Sequence, residues 1–84
     1  MTLRDQLILV FETYCRATGR SEARVSTQVL SGGKRILQIR DGGDIGTIGF
    51  ERAMQWFSDQ WPEAAVWPDA VARPQKSQIL EAAE

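Results

Sequence analysis

The sequence contains no histidine, a single cysteine and only three prolines in 84 residues. Without histidine, the Ser-His-Asp and Cys-His arrangements of nucleophilic catalysis have no base, and zinc loses its commonest nitrogen ligand. Cys15 has no second thiol with which to form an internal disulfide. The seven glycines form neither a Walker loop nor a dinucleotide fingerprint. What remains for covalent or acid-base chemistry is isolated carboxylates, Tyr14 and Cys15, and Cys15 sits beside an apolar helical stripe where an inert buried thiol is the usual outcome. The chain is expected not to be an enzyme and to need neither metal nor cofactor. No run approaches the roughly 18 apolar residues of a membrane-spanning helix, and Met1-Thr2-Leu3-Arg4-Asp5 lacks the cationic start of a signal peptide. The expectation is a cytoplasmic protein that does not enter the membrane.

With 43% hydrophobic and 25% charged residues, the chain has the composition of a folding domain, and its length allows one. The formal net charge is −1, but that total conceals segregation along the chain. Residues 16–40 carry Arg16, Arg20, Arg24, Lys34, Arg35 and Arg40 against Glu22 alone, a local charge of +5. Residues 1–15 carry −1, and residues 41–84 carry −5. A basic middle with an acidic remainder can orient a polyanion on one side of a small domain. The same charges could equally be solvated helix faces with i,i+4 pairs.

Thr2 is placed to cap a helix that begins at Leu3, with Asp5 as the reciprocal acid of a capping box. Leu3, Leu7, Val10, Phe11 and Tyr14 form one stripe of a 3.6-residue period, widened by Ile8 and Cys15, and Gly19 provides the stop. Ser21 is placed to cap a second, short helix over 22 to about 29, with Ala23, Val25, Val29 and Leu30 inward. After Ser31-Gly32-Gly33, a third short helix is read over 33–40 on the spacing of Ile36 and Ile39, with Leu37 beside them and Asp41-Gly42-Gly43 as its end. A hairpin pairing residues 36–39 with 46–50 across Asp41-Gly42 is the competing reading of that stretch. Thr47 is read as the cap of a fourth helix over 48–60, with Phe50, Ala53, Met54, Phe57 and Trp61 on its inner face. Pro62 closes it. The expected architecture is all-α: a compact bundle of four to five short helices over 1–62, followed by a Pro/Trp-containing tail over 63–84. That tail is read as extended, partly packed on the bundle, and frayed or weakly helical over 77–84.

Two short helices joined by a glycine-containing turn, between a longer first helix and a covering fourth, form a helix-turn-helix arrangement. Its second helix enters the major groove by its N-terminal end, where close approach needs small or polar residues, and Gly33, Lys34 and Arg35 stand there. Lys34 and Arg35 can donate to guanine, and Gln38, one turn beyond Lys34, can pair with adenine. Arg20, Ser21 and Arg24, at the start of the preceding helix, suit phosphate contacts. The run from Ser21-Glu22-Ala23-Arg24-Val25-Ser26 to Ile39-Arg40-Asp41-Gly42 resembles the lambda-repressor-like (Cro and repressor type) helix-turn-helix family, over about residues 3–61. The resemblance implies that Gly33, Lys34, Arg35 and Gln38 face bases. It further implies that Ser21, Arg24 and Arg40 approach phosphates, and that Val25, Val29, Ile36, Ile39 and Met54 pack the core.

The expected function is that of a small sequence-specific DNA-binding transcriptional regulator of phage or mobile-element type, contacting double-stranded DNA through residues 33–40. A homodimer is expected, because two half-sites one helical turn apart combine two weak contacts. Trp56, Trp61 and Trp67 are the candidates for its interface, against a reading in which they fill the core or clamp the tail. The alternative function is a protein-interaction module, an antirepressor or antiactivator, that holds a protein partner with this aromatic C-terminal half.

Overall fold

Thr2 opens the first helix, α1 (Leu3–Thr18), by the reciprocal bonds that its side chain invites: Asp5 N–H donates to Thr2 Oγ1 at 3.0 Å, and Thr2 N–H to Asp5 Oδ2 at 3.5 Å. The computed structural model describes residues 1–75. The expected weak helix or frayed end over 77–84 lies outside the described residues. Gly19, left-handed at φ 73°, ends α1 by donating to the Cys15 carbonyl at 2.9 Å. Ser21 Oγ caps α2 (Glu22–Leu30) by accepting from Arg24 N–H at 3.2 Å. The helix α3 (Arg35–Arg40) follows, then α4 (Thr47–Gln60).

The region 34–50 is helical at both ends with a turn between, and no strand occurs among the described residues, so the hairpin reading is overturned. Glycine decides how α3 ends. Gly43 N–H donates to the Gln38 carbonyl at 2.8 Å, and a Cβ added at Gly43 would lie 2.7 Å from that same oxygen. Gly42 holds φ at 105°, which side chains disfavour. The chain therefore turns back within three residues towards α4, a helical C-terminus in place of a hairpin turn.

Two details differ from expectation. Thr47 is not the cap of α4 but its first residue: Gly46 occupies the cap position in an extended conformation, and the first bond is Phe50 N–H to the Gly46 carbonyl at 2.8 Å. Ala23 is exposed on α2, and its expected place inward is taken by Ser26, which is fully buried.

The core gathers Leu7, Val10, Phe11 and Tyr14 of α1, Val25 of α2, Ile36 and Ile39 of α3, and Ala53, Met54 and Phe57 of α4. Leu3 lies at the end of the α1 stripe and stays 39% exposed. Aromatic edges meet faces in the middle, with Phe11 and Phe57 centroids 6.0 Å apart at 77°, and Tyr14 and Phe57 5.3 Å apart at 63°. Beyond Pro62 the chain is clamped back. Trp61 Nε1 donates to the Ala65 carbonyl at 3.0 Å, Trp67 Nε1 to the Val71 carbonyl at 2.9 Å, and Val71 enters the core. Arg73 bridges to Ser58 of α4 through its Oγ at 3.1 Å and its carbonyl at 2.9 Å, while Gln55 donates to the Gln75 carbonyl at 2.8 Å. The first part of the tail thus belongs to the same packed body as the helices.

The α2–α3 turn is held by Ser26, whose hydroxyl donates to the Gly32 carbonyl and accepts from Ile36 N–H at 3.1 Å. Ser26→Ala would leave that buried amide unpaired and is expected to cost about 1–3 kcal/mol. By contrast, Ser31 ends α2 with a positive φ of 64°, and Ser31→Gly is expected to stabilise by about 0.5–1 kcal/mol through relief of that conformation. Urea denaturation midpoints of the two variants should move in opposite directions.

Candidate nucleic-acid interface

The helix α3 is six residues long, too short to hold itself, so its orientation comes from what grips it. Ser26 grips the N-terminal end, Ile36 and Ile39 anchor the inner side, and Arg40 grips the C-terminal end. Arg40 Nη1 donates to Glu22 Oε1 at 2.7 Å, and Arg40 Nη2 to Glu22 Oε2 at 2.8 Å and to Glu12 Oε2 at 2.9 Å. One guanidinium therefore joins α1, α2 and α3. The bidentate bond from Arg40 holds the Glu22 carboxyl below its ordinary range, and the same bonds strengthen the hold of Arg40 on its proton.

The clamp corrects one expected role: Arg40 does not offer a free cation to a phosphate, because two carboxylates occupy it. Arg35 is also committed. Its Nη2 donates to the Asp44 carbonyl at 2.8 Å, and it lines a hollow with Val29, Ile45 and Arg52 that does not include Lys34 or Gln38. Gly33 is half-buried in the turn, and Ser21 is occupied in capping. Lys34 and Gln38, by contrast, are exposed and line a single open depression with Leu37, Arg40 and Asp41. Arg20 and Arg24 are exposed near the start of α2, as is Arg16 near the end of α1.

Leu37 was not among the expected contact residues. An apolar residue next to the Ile36/Ile39 pair reads as core from sequence, yet it is 56% exposed because α3 turns only its 36, 39 and 40 positions towards the bundle. Arg40's partners lie 28 and 18 residues away in the chain, and no local pattern announces them.

Of the two readings of the three tryptophans, interface or core and clamp, their burial fits the second. Trp61 is 5% exposed and belongs to the core, tilted against Tyr14 and against Trp67, whose centroid lies 4.7 Å away. Trp56 is half-buried, edge-on to Tyr14 at 5.4 Å and to Phe57 at 5.3 Å. Trp67 is half-buried, with the Arg73 guanidinium 5.3 Å from its ring centroid. The aromatic residues chiefly fill the core and clamp the C-terminal segment. Among the described residues no group of three or more acidic, histidine or cysteine side chains could hold a metal ion. No helix among them is long and apolar enough to cross a membrane.

Burial, reinforced by the nearby Glu22 carboxylate, pushes the Cys15 thiol up to about 11. Native protein at pH 8 is expected to resist an aromatic disulfide reagent and to react fully once unfolded in urea, followed by absorbance of the released thiolate. The Arg40 clamp has its own pH signature. A carboxyl depressed by folding adds stability above its unfolded value, and that contribution is lost as pH falls through the folded one. Arg40→Met is expected to lower stability by about 1 kcal/mol at pH 7, the bond being partly exposed to solvent. The gap from the parent protein should close as pH drops below 4.5, the ordinary value for Glu22, in denaturation curves taken between pH 3 and 7.

No family model, no curated protein and no solved structure matches this chain, so the reading of the α3 surface rests on its own residues.

Proposed function

We propose that the protein is a small sequence-specific DNA-binding regulator of the lambda-repressor-like helix-turn-helix kind, which acts by occupying an operator in double-stranded DNA. The observation that supports this reading is the outward side of α3. Lys34 and Gln38 stand exposed one turn apart on a short helix whose inner side and both ends are fixed to the bundle. Such a helix presents donors and acceptors to base edges on a backbone that is already ordered, so the cost at contact is confined to the side chains. Arg16, Arg20, Arg24 and Lys34 are exposed and form no ion pair with the described acidic residues, which leaves their charge for phosphates. Arg20 and Arg24 flank Ser21 at the positive end of α2, a place suited to a phosphate.

A domain with so few free cations binds weakly alone, and a homodimer spanning two half-sites about one helical turn apart supplies the remaining affinity. Repression or activation in the cytoplasm, rather than catalysis, is the activity that follows. The competing reading, a protein-interaction module built on the aromatic C-terminal half, draws less support because Trp61 is inside the core and Trp56 and Trp67 each rest on neighbouring rings.

Selection of bound duplexes from a random DNA pool tests the reading. The expected outcome is an enriched palindrome with half-site centres about ten base pairs apart. Its affinity should fall with salt, and Lys34→Ala or Gln38→Ala should relax the preference at separate base pairs by about 1–3 kcal/mol each without unfolding. Weak binding with no enriched motif would overturn it and favour the protein-interaction module.

A further inference from the structure

The outward side of α3 is a stripe running from cap to cap: Lys34, Leu37, Gln38 and Asp41, at i, i+3, i+4 and i+7, all exposed. Three of the four are polar. Leu37 stands in the middle, between Lys34 one turn before it and Asp41 one turn after, and these residues line one open depression. The core does not require Leu37. Ile36 and Ile39 are 1% and 0% exposed and already satisfy the apolar side of α3, whereas Leu37 is 56% exposed. A leucine held there on a rigid helix keeps more than half of its side chain in water and places an aliphatic group on the side of α3 proposed to face DNA.

We infer that Leu37 is a specificity-determining residue that reads the C5 methyl group of a thymine in the major groove. This inference rests on the DNA-binding reading of the same surface. The chemistry of the stripe assigns the role by elimination. Lys34 donates to guanine O6 and N7, the Gln38 amide matches adenine N6 and N7, and the Asp41 carboxylate accepts from the cytosine N4 amine. None of the three distinguishes thymine, whose mark in the groove is a methyl group, and an aliphatic side chain is what recognises a methyl group. Gln38 and Leu37 are consecutive, so one helix can meet adenine and the thymine of the same or an adjoining pair. Charge favours a nucleic acid as the occupant: Lys34 forms no ion pair with the described acidic residues, and neither do Arg20, just before the α2 cap, and Arg24, in the first turn of α2. Asp41 at the far end disfavours a phosphate there, which places that end over bases instead.

The test begins from the duplex enriched by the parent protein and replaces its thymines by deoxyuridine one at a time. This removes the methyl group and leaves pairing intact. One position is expected to lower the affinity of the parent protein about fourfold, the worth of one buried methyl group. Leu37→Ala should bind thymine and uracil duplexes equally at that position, Leu37→Met should retain most of the difference, and Lys34→Ala should retain all of it. Unchanged thermal midpoints confirm that the variants fold, as expected for an exposed position. If no thymine is sensitive, or if Leu37→Ala discriminates as well as the parent, the inference is overturned while DNA binding stands. If no motif is enriched at all, the DNA-binding reading fails, and this inference with it.

Discussion

The hydroxyl of Ser26 is the pivot of the helix-turn-helix geometry. It is fully buried, donates to the Gly32 carbonyl and accepts from the Ile36 amide, so one side chain of α2 ties both the turn and the first residues of α3. The turn itself offers little apolar surface, and Ser31 within it holds a left-handed conformation that costs energy. A six-residue helix cannot nucleate on its own. Once Ser26 fixes where α3 starts, Ile36 and Ile39 fall into the core and Arg40 comes within reach of Glu12 and Glu22. Removal of the hydroxyl therefore affects both the stability of the domain and the direction in which α3 points.

Ser58 plays a matching part at the other end of the molecule. Among the described residues, Ser26 and Ser58 are the two buried polar side chains, and each fastens a non-helical stretch to a helix. Ser58 donates to the Pro74 carbonyl and accepts from Arg73, so the segment beyond α4 returns along that helix and brings Val71 into the core. A chain of this length buries a modest fraction of its surface, and this return covers apolar area that four short helices leave open. The tryptophans follow the same logic. Their indole N–H groups satisfy nearby carbonyls while their rings extend the aromatic cluster outward from Tyr14 and Phe57.

The sequence was most legible where the determinants are local. The Thr2/Asp5 capping box, the Gly19 stop, the Ser21 cap and the apolar period of α1 depend on residues within one or two turns, and they place helices to within a residue or two. Legibility failed where a residue's partner is distant. Arg40 and Leu37 sit in one short helix, and their roles depend on which way that helix is rotated. That rotation is fixed by Ser26, Glu22 and Glu12, residues far along the chain. Arg35 shows the same limit, since its bond to Asp44 requires the α3–α4 loop to close over it. The short helix that carries the candidate surface could thus be read from sequence, whereas which of its side chains face outward could not.

That rotation divides α3 between two tasks that do not compete. Positions 36, 39 and 40 face the bundle and hold the helix, and the side chains at 34, 37, 38 and 41 are exposed on its outer side. Substitutions of the first kind act on the orientation of the whole stripe, so they would change every contact together. Substitutions of the second kind leave the backbone where it is and alter one contact each. A short helix, gripped at both ends, leaves more of its residues free of the core than a long one, which suits the DNA-binding role proposed for α3. On the proposed DNA-binding reading the outward residues can be chosen for the groups they meet, which gives a reason for an exposed leucine between a lysine and a glutamine that packing alone does not give.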